Sequence, residues 1–412
     1  MLRRRSSSHT SPAQLAPLED ENLLWEILLR LPPLPSSLPS ASILCKRWLS
    51  IVSDPGFIRS FRGNHRNPPL LGLFVATNHG ADFIPTLDPP DRIPAARFSP
   101  PPQSISKQSW SFLGCRHGLC LFIDDVRPDD AIVYDPITSH QRRIPLPSEL
   151  VGSKDSFVLQ NGGVVCVAGH GRVHGDCSLS PFKLVLLYSY VNDSSVSACL
   201  YESQSGVWGN VVSKTMAGEF GCITPSVLVR NALCWLSQEG SILEFDMENQ
   251  SLSVTEMPAN HQNTDWSCYQ LLRTEENRLG LVVLTGSVVE ILVRKVNYDG
   301  TALLVLQKTV ELHKLLPLGL SMNILPHTCR LQGFDEEDNA IFLSLGIGVF
   351  MVNLETLQVT NISARLSNTY YSRYYYPYRS FYTAAVGDHG TGRGASEDYQ
   401  CQAAGAAGGG RT

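Results

Sequence analysis

The sequence has few charged residues and no long hydrophobic run. Charged side chains make up 17% of the 412 residues, below the roughly 25% of an average globular domain, so Ser, Thr, Asn, Gln and Gly must cover much of the surface. The most apolar stretch, residues 279–293, is interrupted by Gly280, Gly286 and Glu290 and falls short of the roughly 18 apolar residues of a membrane span. We therefore expect no membrane partner.

The first 17 residues contain no acidic residue and no apolar core. Arg3, Arg4 and Arg5 precede a serine run, but a secretory signal would need a hydrophobic stretch after them. A transit peptide is an alternative, although so short a leader would run directly into the first helix. We therefore predict that residues 1–17 form a disordered tail and that the protein is cytoplasmic, nuclear or both.

Metal-binding motifs are also lacking. The 11 cysteines include no Cys-x-x-Cys pair, and their dispersal favours reduced, partly buried thiols. Cys166, His170, His174 and Cys177 have the ligand types that zinc prefers, but the glycine-rich spacing is unlike the two close pairs of a zinc finger. The sequence predicts no metal site and no cofactor.

Catalytic motifs are no better supported. Cys115 and His117 suggest a thiol with a base, but Arg116 separates them on a strand that ends in a turn, which scatters their side chains. The glycines of residues 405–410 lack the Lys-Ser/Thr of a phosphate-binding loop. We predict no catalytic residues and hence no enzyme.

Charge is distributed unevenly along the chain. Residues 1–66 carry 9 Lys and Arg against 5 Asp and Glu, whereas the remaining residues carry 24 against 33. A basic N-terminal part suits an acidic partner, and an acidic body argues against binding to nucleic acid.

Helical periodicity is confined to residues 18–66. Leu24, Ile27, Leu28 and Leu31 fall on one stripe of a first helix that Pro32 ends. Further stripes predict a second helix from Ser37 to Val52 and a short third helix around Phe57–Phe61. Three such short helices bury too little surface to be stable alone, so they require a partner, either the rest of this chain or another protein.

This segment resembles the F-box, the adaptor-binding motif of ubiquitin-ligase receptors. The resemblance rests on Leu18, on the first stripe ending in Arg30-Leu31-Pro32, on Cys45-Lys46-Arg47-Trp48, and on Val52-Ser53-Asp54-Pro55. The F-box usually opens with Leu-Pro, whereas Leu18 is followed here by Glu19, and the connection from Pro32 to Pro39 is unusually rich in proline. An ordinary helical cap on the next domain is the alternative.

Short strands separated by Gly, Asn, Asp and Pro follow from Leu70 to about Val386. Five sets of two hairpins begin at Trp110, Gly163, Val227, Tyr269 and Leu331, with the period of roughly 40 to 50 residues that is typical of propeller blades. A sixth blade would form if residues 70–75 and 83–84 joined residues 380–385, which would close the ring. A β-sandwich pair is the alternative fold.

The fold is predicted to be α+β and mainly β, a small three-helix F-box followed by a propeller with six blades favoured and seven possible. Phe112–Leu119, Tyr134–Thr138 and the aromatic ending Tyr376–Tyr382 resemble the F-box-associated, kelch-like propeller region of plant F-box proteins. The proline-rich connection from Pro32 to Pro39 resembles the form found in F-box proteins of grasses. The predicted boundaries are residues 1–17 (tail), 18–66 (F-box), 67–69 (linker), 70–386 (propeller) and 387–412 (Gly- and Ala-rich disordered tail).

The resemblance implies a substrate-recognition subunit of a Skp-cullin-F-box ubiquitin ligase. Its F-box would bind the Skp-type adaptor, through it the cullin, and its propeller an unknown target protein. The adaptor-binding residues that it implies are Leu18, Leu24, Ile27, Leu28, Leu44, Cys45, Lys46 and Trp48. The alternatives are a propeller enzyme or ligand-binding module with a helical cap and no ubiquitin role, and an F-box protein that delivers no target.

Tyrosines cluster near the end of the propeller segment. Seven of the 14 tyrosines fall between Tyr370 and Tyr382, interleaved with arginines, and Tyr and Arg dominate protein-protein hot spots. The candidates for target binding are Arg373, Tyr374, Tyr375 and Arg379. Packing of these tyrosines between blades, around a closing strand, is the interpretation that we favour.

Overall fold

The computed structural model describes residues 20–77, 80–98, 110–124, 129–147, 150, 157–167, 177, 180–191, 193–216, 221, 224–238, 240–257, 265–298, 302–316, 329–345, 348–366 and 374–382. The predicted tails, residues 1–17 and 387–412, lie outside these ranges. Within them, no helix is long and apolar enough to cross a membrane.

The N-terminal part, here called the head, contains four helices: α1 (Glu21–Leu29), α2 (Ser37–Ser42), α3 (Lys46–Val52) and α4 (Pro55–His65). The Asp20 carboxylate caps α1 by accepting the backbone N–H groups of Asn22 and Leu23, and Asp54 caps α4 in the same way. Asp54 is followed by Pro55, a residue that the first helical position accommodates without losing a hydrogen bond.

The segment that we predicted as one second helix is divided into α2 and α3. Cys45 adopts an extended conformation between them, and Ile43 and Leu44 are exposed at the break. The break allows both short helices to contribute to one core. That core consists of Leu24, Leu28, Leu38, Ala41, Ile51, Val52, Phe57 and Phe61.

The rest of the described chain forms six antiparallel sheets, the blades of a propeller. Blade 1 contains β1 (Leu70–Thr77), β2 (Gly80–Pro85) and the last strand, β24 (Tyr375–Arg379); blade 2 contains β3 (Trp110–Arg116), β4 (Leu119–Asp124), β5 (Asp130–Asp135) and β6 (His140–Pro145); blade 3 contains β7 (Phe157–Cys166), β8 (Phe182–Tyr190), β9 (Ser195–Glu202), β10 (Val207–Trp208) and β11 (Val212–Thr215).

The other three blades have four strands each. Blade 4 contains β12 (Val227–Val229), β13 (Ala232–Leu236), β14 (Ser241–Asp246) and β15 (Ser251–Glu256); blade 5 contains β16 (Tyr269–Arg273), β17 (Leu279–Thr285), β18 (Val288–Val296) and β19 (Ala302–Glu311); blade 6 contains β20 (Arg330–Asp335), β21 (Ala340–Leu345), β22 (Gly348–Asn353) and β23 (Val359–Asn361). A single helical turn, α5 (Leu312–Leu315), follows β19.

The innermost strand of each blade lines a central channel. These strands are β3, β7, β12, β16, β20 and β24, and the first and last of them are neighbours, so the ring is closed. A closed ring of six blades confirms the propeller over the β-sandwich and selects six blades over seven. Closure also places the inner edge strands β3 and β24 against each other inside the ring, where the edges are protected.

The closing strand lies earlier in the sequence than we expected. It spans Tyr375–Arg379 rather than residues 380–385, and it pairs with β1 so that Arg379 faces Leu70 and Tyr375 faces Val75. Pro377 lies within this strand although proline cannot donate a hydrogen bond to a ladder. It is tolerated because β24 is the innermost strand and is hydrogen-bonded on one side only.

Candidate functional site

The head carries large apolar side chains that face solvent on two of its helices and at the break between α2 and α3. Leu23 and Ile27 on α1, Ile43 and Leu44 at the break between α2 and α3, and Leu49 on α3 are all exposed, Ile43 and Leu44 to 82% and 65%. We call these five residues the head patch. Single exposed apolar residues are ordinary, but five large ones within 27 residues of chain make the head a candidate interaction surface.

Two of the predicted adaptor-binding residues lie beneath the patch instead of in it. Leu24 and Leu28 are fully buried in the head core, so in this fold their side chains have no surface to offer a partner, and we correct them to core residues. The reason is geometric, since α1 has two adjacent apolar stripes and only the Leu24/Leu28 stripe faces α4 and the other helices.

The remaining predicted residues are more accessible. Ile27, Leu44, Cys45 and Lys46 are exposed, and Trp48 is half-buried against the head core. Leu18 lies outside the described residues. The prediction did not include Leu23, Ile43 and Leu49, which are also exposed. For Leu23 the sequence held a signal, because the apolar stripe on α1 is too wide for all of it to face one core.

A cavity of about 600 Å³ lies where the central channel meets the head. Arg66, Asn67 and Pro68, which join α4 to β1, line it on the head side. On the propeller side it is lined by the ends of inner strands, including Cys115, His117, Glu336, Tyr376 and Arg379. The volume is in the range of ligand-binding pockets.

Hydrogen bonds to the largely buried Glu336 connect four blades at this end of the channel. Glu336 receives two hydrogen bonds from Arg116, the shorter 2.7 Å from Nη2 to Oε1, and one from the Leu228 backbone N–H. Arg273 donates to the Glu336 carbonyl oxygen. Burial alone would raise the pKa of Glu336, but Arg116, Arg273 and the Leu228 bond outweigh it and hold the pKa below its usual range.

A second network joins the head to the ring closure. Arg379 is bonded to Asp335, to Asp338 and, through Nη1, to the Pro68 carbonyl oxygen at 3.1 Å. Because β24 ends the propeller and Pro68 ends the head, one guanidinium restrains both. Arg116, Arg273 and Arg379 all donate to acceptors within the protein. They therefore hold the walls of the cavity in place.

The three candidates for target binding that the structure describes differ in burial and are spread along β24. Tyr374 precedes β24 and Arg379 ends it, roughly 16 Å apart at the rise of an extended strand. Tyr375 is fully buried, as the packing interpretation predicted. Tyr374 is half-buried, and burial raises the pKa of its hydroxyl to about 12, with Arg330 and Asp265 nearby. Arg373 lies outside the described residues.

The residues considered for chemistry are dispersed. Arg116 points to Glu336, whereas His117 accepts a hydrogen bond from the Cys166 backbone N–H, so they do not assemble with Cys115 into a nucleophile and base. Cys166 and Cys177 are both buried, while His170 and His174 lie outside the described residues. Within the described part of the chain, no group of three His, Cys, Asp or Glu side chains is placed to hold a metal.

Two family models match the chain. The model described as "F-box domain" matches residues 20–60, which contain all of α1–α3, and the model described as "F-box protein AT5G49610-like, beta-propeller" matches residues 125–382. The chain belongs to this F-box protein family. The F-box and the plant-type propeller are thereby confirmed, although the propeller is not specifically of the kelch type.

An F-box joined to a propeller of this family indicates a substrate-adaptor role, and families of this kind are typically not enzymes. An F-box in general binds a Skp-type adaptor. The chain matches no curated protein.

Two solved structures share a distant likeness with this F-box protein. One is BBS1N in complex with ARL6DN, at 10% identity over 70% of this chain and 76% of that chain, with a TM-score of 0.35. The other is a quinonprotein alcohol dehydrogenase-like protein from Bacteroides thetaiotaomicron VPI-5482, at 10% identity over 72% and 65%, with the same TM-score. Neither likeness bears on function.

Proposed function

We propose that this F-box protein is the substrate-recognition subunit of a Skp-cullin-F-box ubiquitin ligase. The observation that carries the proposal is the head patch, five exposed apolar side chains on a segment that matches the F-box. The head would bind the Skp-type adaptor and, through it, the cullin, while the propeller would bind the target protein. The proposal places the protein in the cytoplasm, the nucleus or both.

The adaptor contact would centre on the break between α2 and α3. Ile43 and Leu44 protrude there, flanked by Cys45, Lys46 and the half-buried Trp48. Each large apolar side chain that an interface buries fully contributes roughly 1.5 to 3 kcal/mol before the costs of association. Lys46 would steer the head towards an acidic partner.

The propeller would act by position, not by chemistry. A receptor raises the rate of ubiquitin transfer by holding the target near the charged enzyme, which replaces an encounter in solution with an intramolecular step. The joint made by Arg379, Asp335 and the Pro68 carbonyl oxygen supports this role. It restrains the head against the propeller, so that a bound target would be presented in a limited range of orientations.

The proposal is tested by measuring binding of the full chain to a purified Skp-type adaptor by calorimetry. Leu44→Lys should weaken binding at least tenfold, because it places a charge in the centre of the apolar contact. Leu306→Lys is the matched control, since Leu306 is similarly exposed, to 54%, but lies on β19 of the propeller. It should bind like the unmodified chain.

Equal binding by the Leu44→Lys variant would remove the head patch from the adaptor contact. Absence of any binding by the unmodified chain would overturn the receptor proposal itself. If the adaptor binds, recovery of a cullin with the complex tests the next step of the assembly.

A further inference from the structure

Two cysteines face each other across the hairpin formed by β3 and β4. His117 and Gly118 both have positive φ, 55° and 79°, as a two-residue type I′ turn requires. Arg116 and Leu119 form the pair next to this turn, and Cys115 and Cys120 form the following pair. The two cysteine side chains therefore project from the same face of the sheet.

The position of this pair in the ladder favours a covalent bond. In a two-residue hairpin the pair beside the turn is hydrogen-bonded, so the Cys115–Cys120 pair is of the non-hydrogen-bonded kind, with Cα atoms about 4.5 Å apart and side chains close together. Disulfides require Cα separations of about 4.4 to 6.8 Å. Among the described strand pairs, no other places two cysteines directly opposite each other.

The two thiols belong to residues that lie directly opposite each other in the ladder, but they differ in exposure. The Cys115 thiol donates to the Pro377 carbonyl oxygen, 3.2 Å from the sulfur. Burial, with the neighbouring Cys115 thiol adding to it, raises the pKa of the Cys120 thiol well above its usual range. Cys115 is half-buried and lines the cavity at the channel mouth, whereas Cys120 is fully buried. A small oxidant entering the cavity therefore meets Cys115 first, with Cys120 behind it as a resolving thiol.

We propose that Cys115 and Cys120 form a reversible cross-strand disulfide when the protein encounters a peroxide. The Cys115 thiolate attacks one peroxide oxygen and becomes a sulfenic acid, while the other oxygen leaves and takes a proton to become water or an alcohol. The Cys120 sulfur then attacks the Cys115 sulfur, its thiol proton is lost, and the hydroxyl group departs as water. The two thiols together lose two electrons and two protons.

The bond would be easy to reverse and would act on the channel mouth. The loop that it closes is very short, so it removes little entropy from the unfolded chain. When the disulfide forms, the Cys115 sulfur loses its proton and with it the hydrogen bond to the Pro377 carbonyl oxygen on β24. Arg116, the residue after Cys115, donates a hydrogen bond to Glu336 at the end of β20. Oxidation of the two cysteines would therefore change the contacts that β3 makes with β20 and with β24.

The test uses the full chain, reduced, freed of reductant and exposed to hydrogen peroxide. Remaining thiols are then blocked with N-ethylmaleimide under denaturing conditions, and peptides are identified by mass spectrometry. We expect a species that has lost two hydrogen atoms, with Cys115 linked to Cys120 and neither carrying maleimide. Treatment with dithiothreitol before blocking should restore both labels.

Two variants serve as controls. Cys120→Ser should leave Cys115 without its resolving thiol, so that oxidation proceeds to sulfinic acid or to a bond with an added small thiol. Cys234→Ser removes a different fully buried cysteine and should leave the Cys115–Cys120 bond unaffected. Because the unmodified chain supplies the decisive measurement, failure of either variant to fold does not prevent the test.

The proposal is overturned if both Cys115 and Cys120 remain fully labelled by maleimide after peroxide treatment. It is equally overturned if Cys115 in the unmodified chain passes to sulfinic acid while Cys120 stays a thiol. Bonding of Cys115 to a cysteine other than Cys120 would also exclude it.

Discussion

Arg379 forms a two-point ion pair with Asp335 at the seam of the propeller, with Nη2 2.6 Å from Oδ2 and Nε 3.0 Å from Oδ1. Asp335 ends the inner strand of blade 6, and Arg379 ends the strand that completes blade 1. Both side chains are almost completely buried. The pair therefore links the last and first blades, and the Pro68 contact of Arg379 extends this link to the head.

Removal of the guanidinium at this seam should be costly. Arg379→Met leaves the Asp335 carboxylate, which is 1% exposed, without its main counter-charge, and breaking a buried pair in this way typically costs about 3 to 5 kcal/mol. We expect a clearly lower midpoint of urea unfolding, followed by circular dichroism. Arg143→Met is the control, because its pair with Asp130 is exposed and worth about 0 to 1 kcal/mol. Equal midpoints for the two variants would contradict the role given to Arg379.

Neighbouring leucines on α1 should respond differently to truncation. Leu24 is fully buried and Leu23 is 48% exposed, so Leu24→Ala should destabilise the head by about 2 to 5 kcal/mol through lost packing and a cavity. Leu23→Ala should leave head stability nearly unchanged but weaken adaptor binding. Denaturant unfolding followed by the fluorescence of Trp25 and Trp48, together with the binding assay, separates the two effects. Similar unfolding curves would contradict the division into core and patch.

Acid should weaken the network around Glu336. The pKa of this group is lower in the folded protein than its ordinary value of 4.5, so its stabilising contribution is complete above about pH 4.5 and is lost as the pH falls through the lower, folded value. Glu336→Gln should unfold more readily at neutral pH and lose less stability on acidification. Thermal melting between neutral pH and pH 3 measures the difference. Glu26→Gln is the control for removal of a carboxylate, because the pair of Glu26 with Arg30 is exposed and worth about 0 to 1 kcal/mol at neutral pH.

Gly333 should not tolerate a side chain. Its φ is +145°, and a Cβ atom at this position would collide with the Tyr375 carbonyl oxygen of the closing strand. Gly333→Ala is therefore expected to lower the melting temperature by separating β20 from β24. Gly63→Ala is the control, since a Cβ there meets nothing within 4 Å on α4 and alanine favours a helix by about 0.5 to 1 kcal/mol over glycine. A Gly333→Ala protein as stable as the Gly63→Ala protein would refute the steric argument.

Blade positions could be predicted because one turn recurs. Asp135, Asp246 and Asn353 each end the third strand of a blade, and each accepts hydrogen bonds from backbone N–H groups two and three residues later. This local arrangement explains why an acid or Asn follows an apolar residue at each position. Glu202 departs from it, because its carboxylate pairs with Lys183 instead.

The channel mouth could not be predicted in the same way. Arg116 and Glu336 are 220 residues apart in sequence, and no local periodicity indicates which charged residues will meet across a ring. The burial of Leu24 and Leu28, which we predicted as adaptor-binding residues, could not be predicted for a related reason. Both stripes of α1 are apolar, and only the tertiary packing of α4 decides which of them is buried.

The position of β24 has a consequence for protein synthesis. Blade 1 needs a strand that leaves the ribosome about 290 residues after β2, and at translation rates of about 5 to 20 residues per second this is a delay of roughly 15 to 60 s. During that interval β1 lacks its inner neighbour while the other blades emerge. A chain that ends shortly before residue 375 would contain the strands of five blades, but blade 1 would lack β24 and the ring would stay open. We expect cells to degrade such a chain.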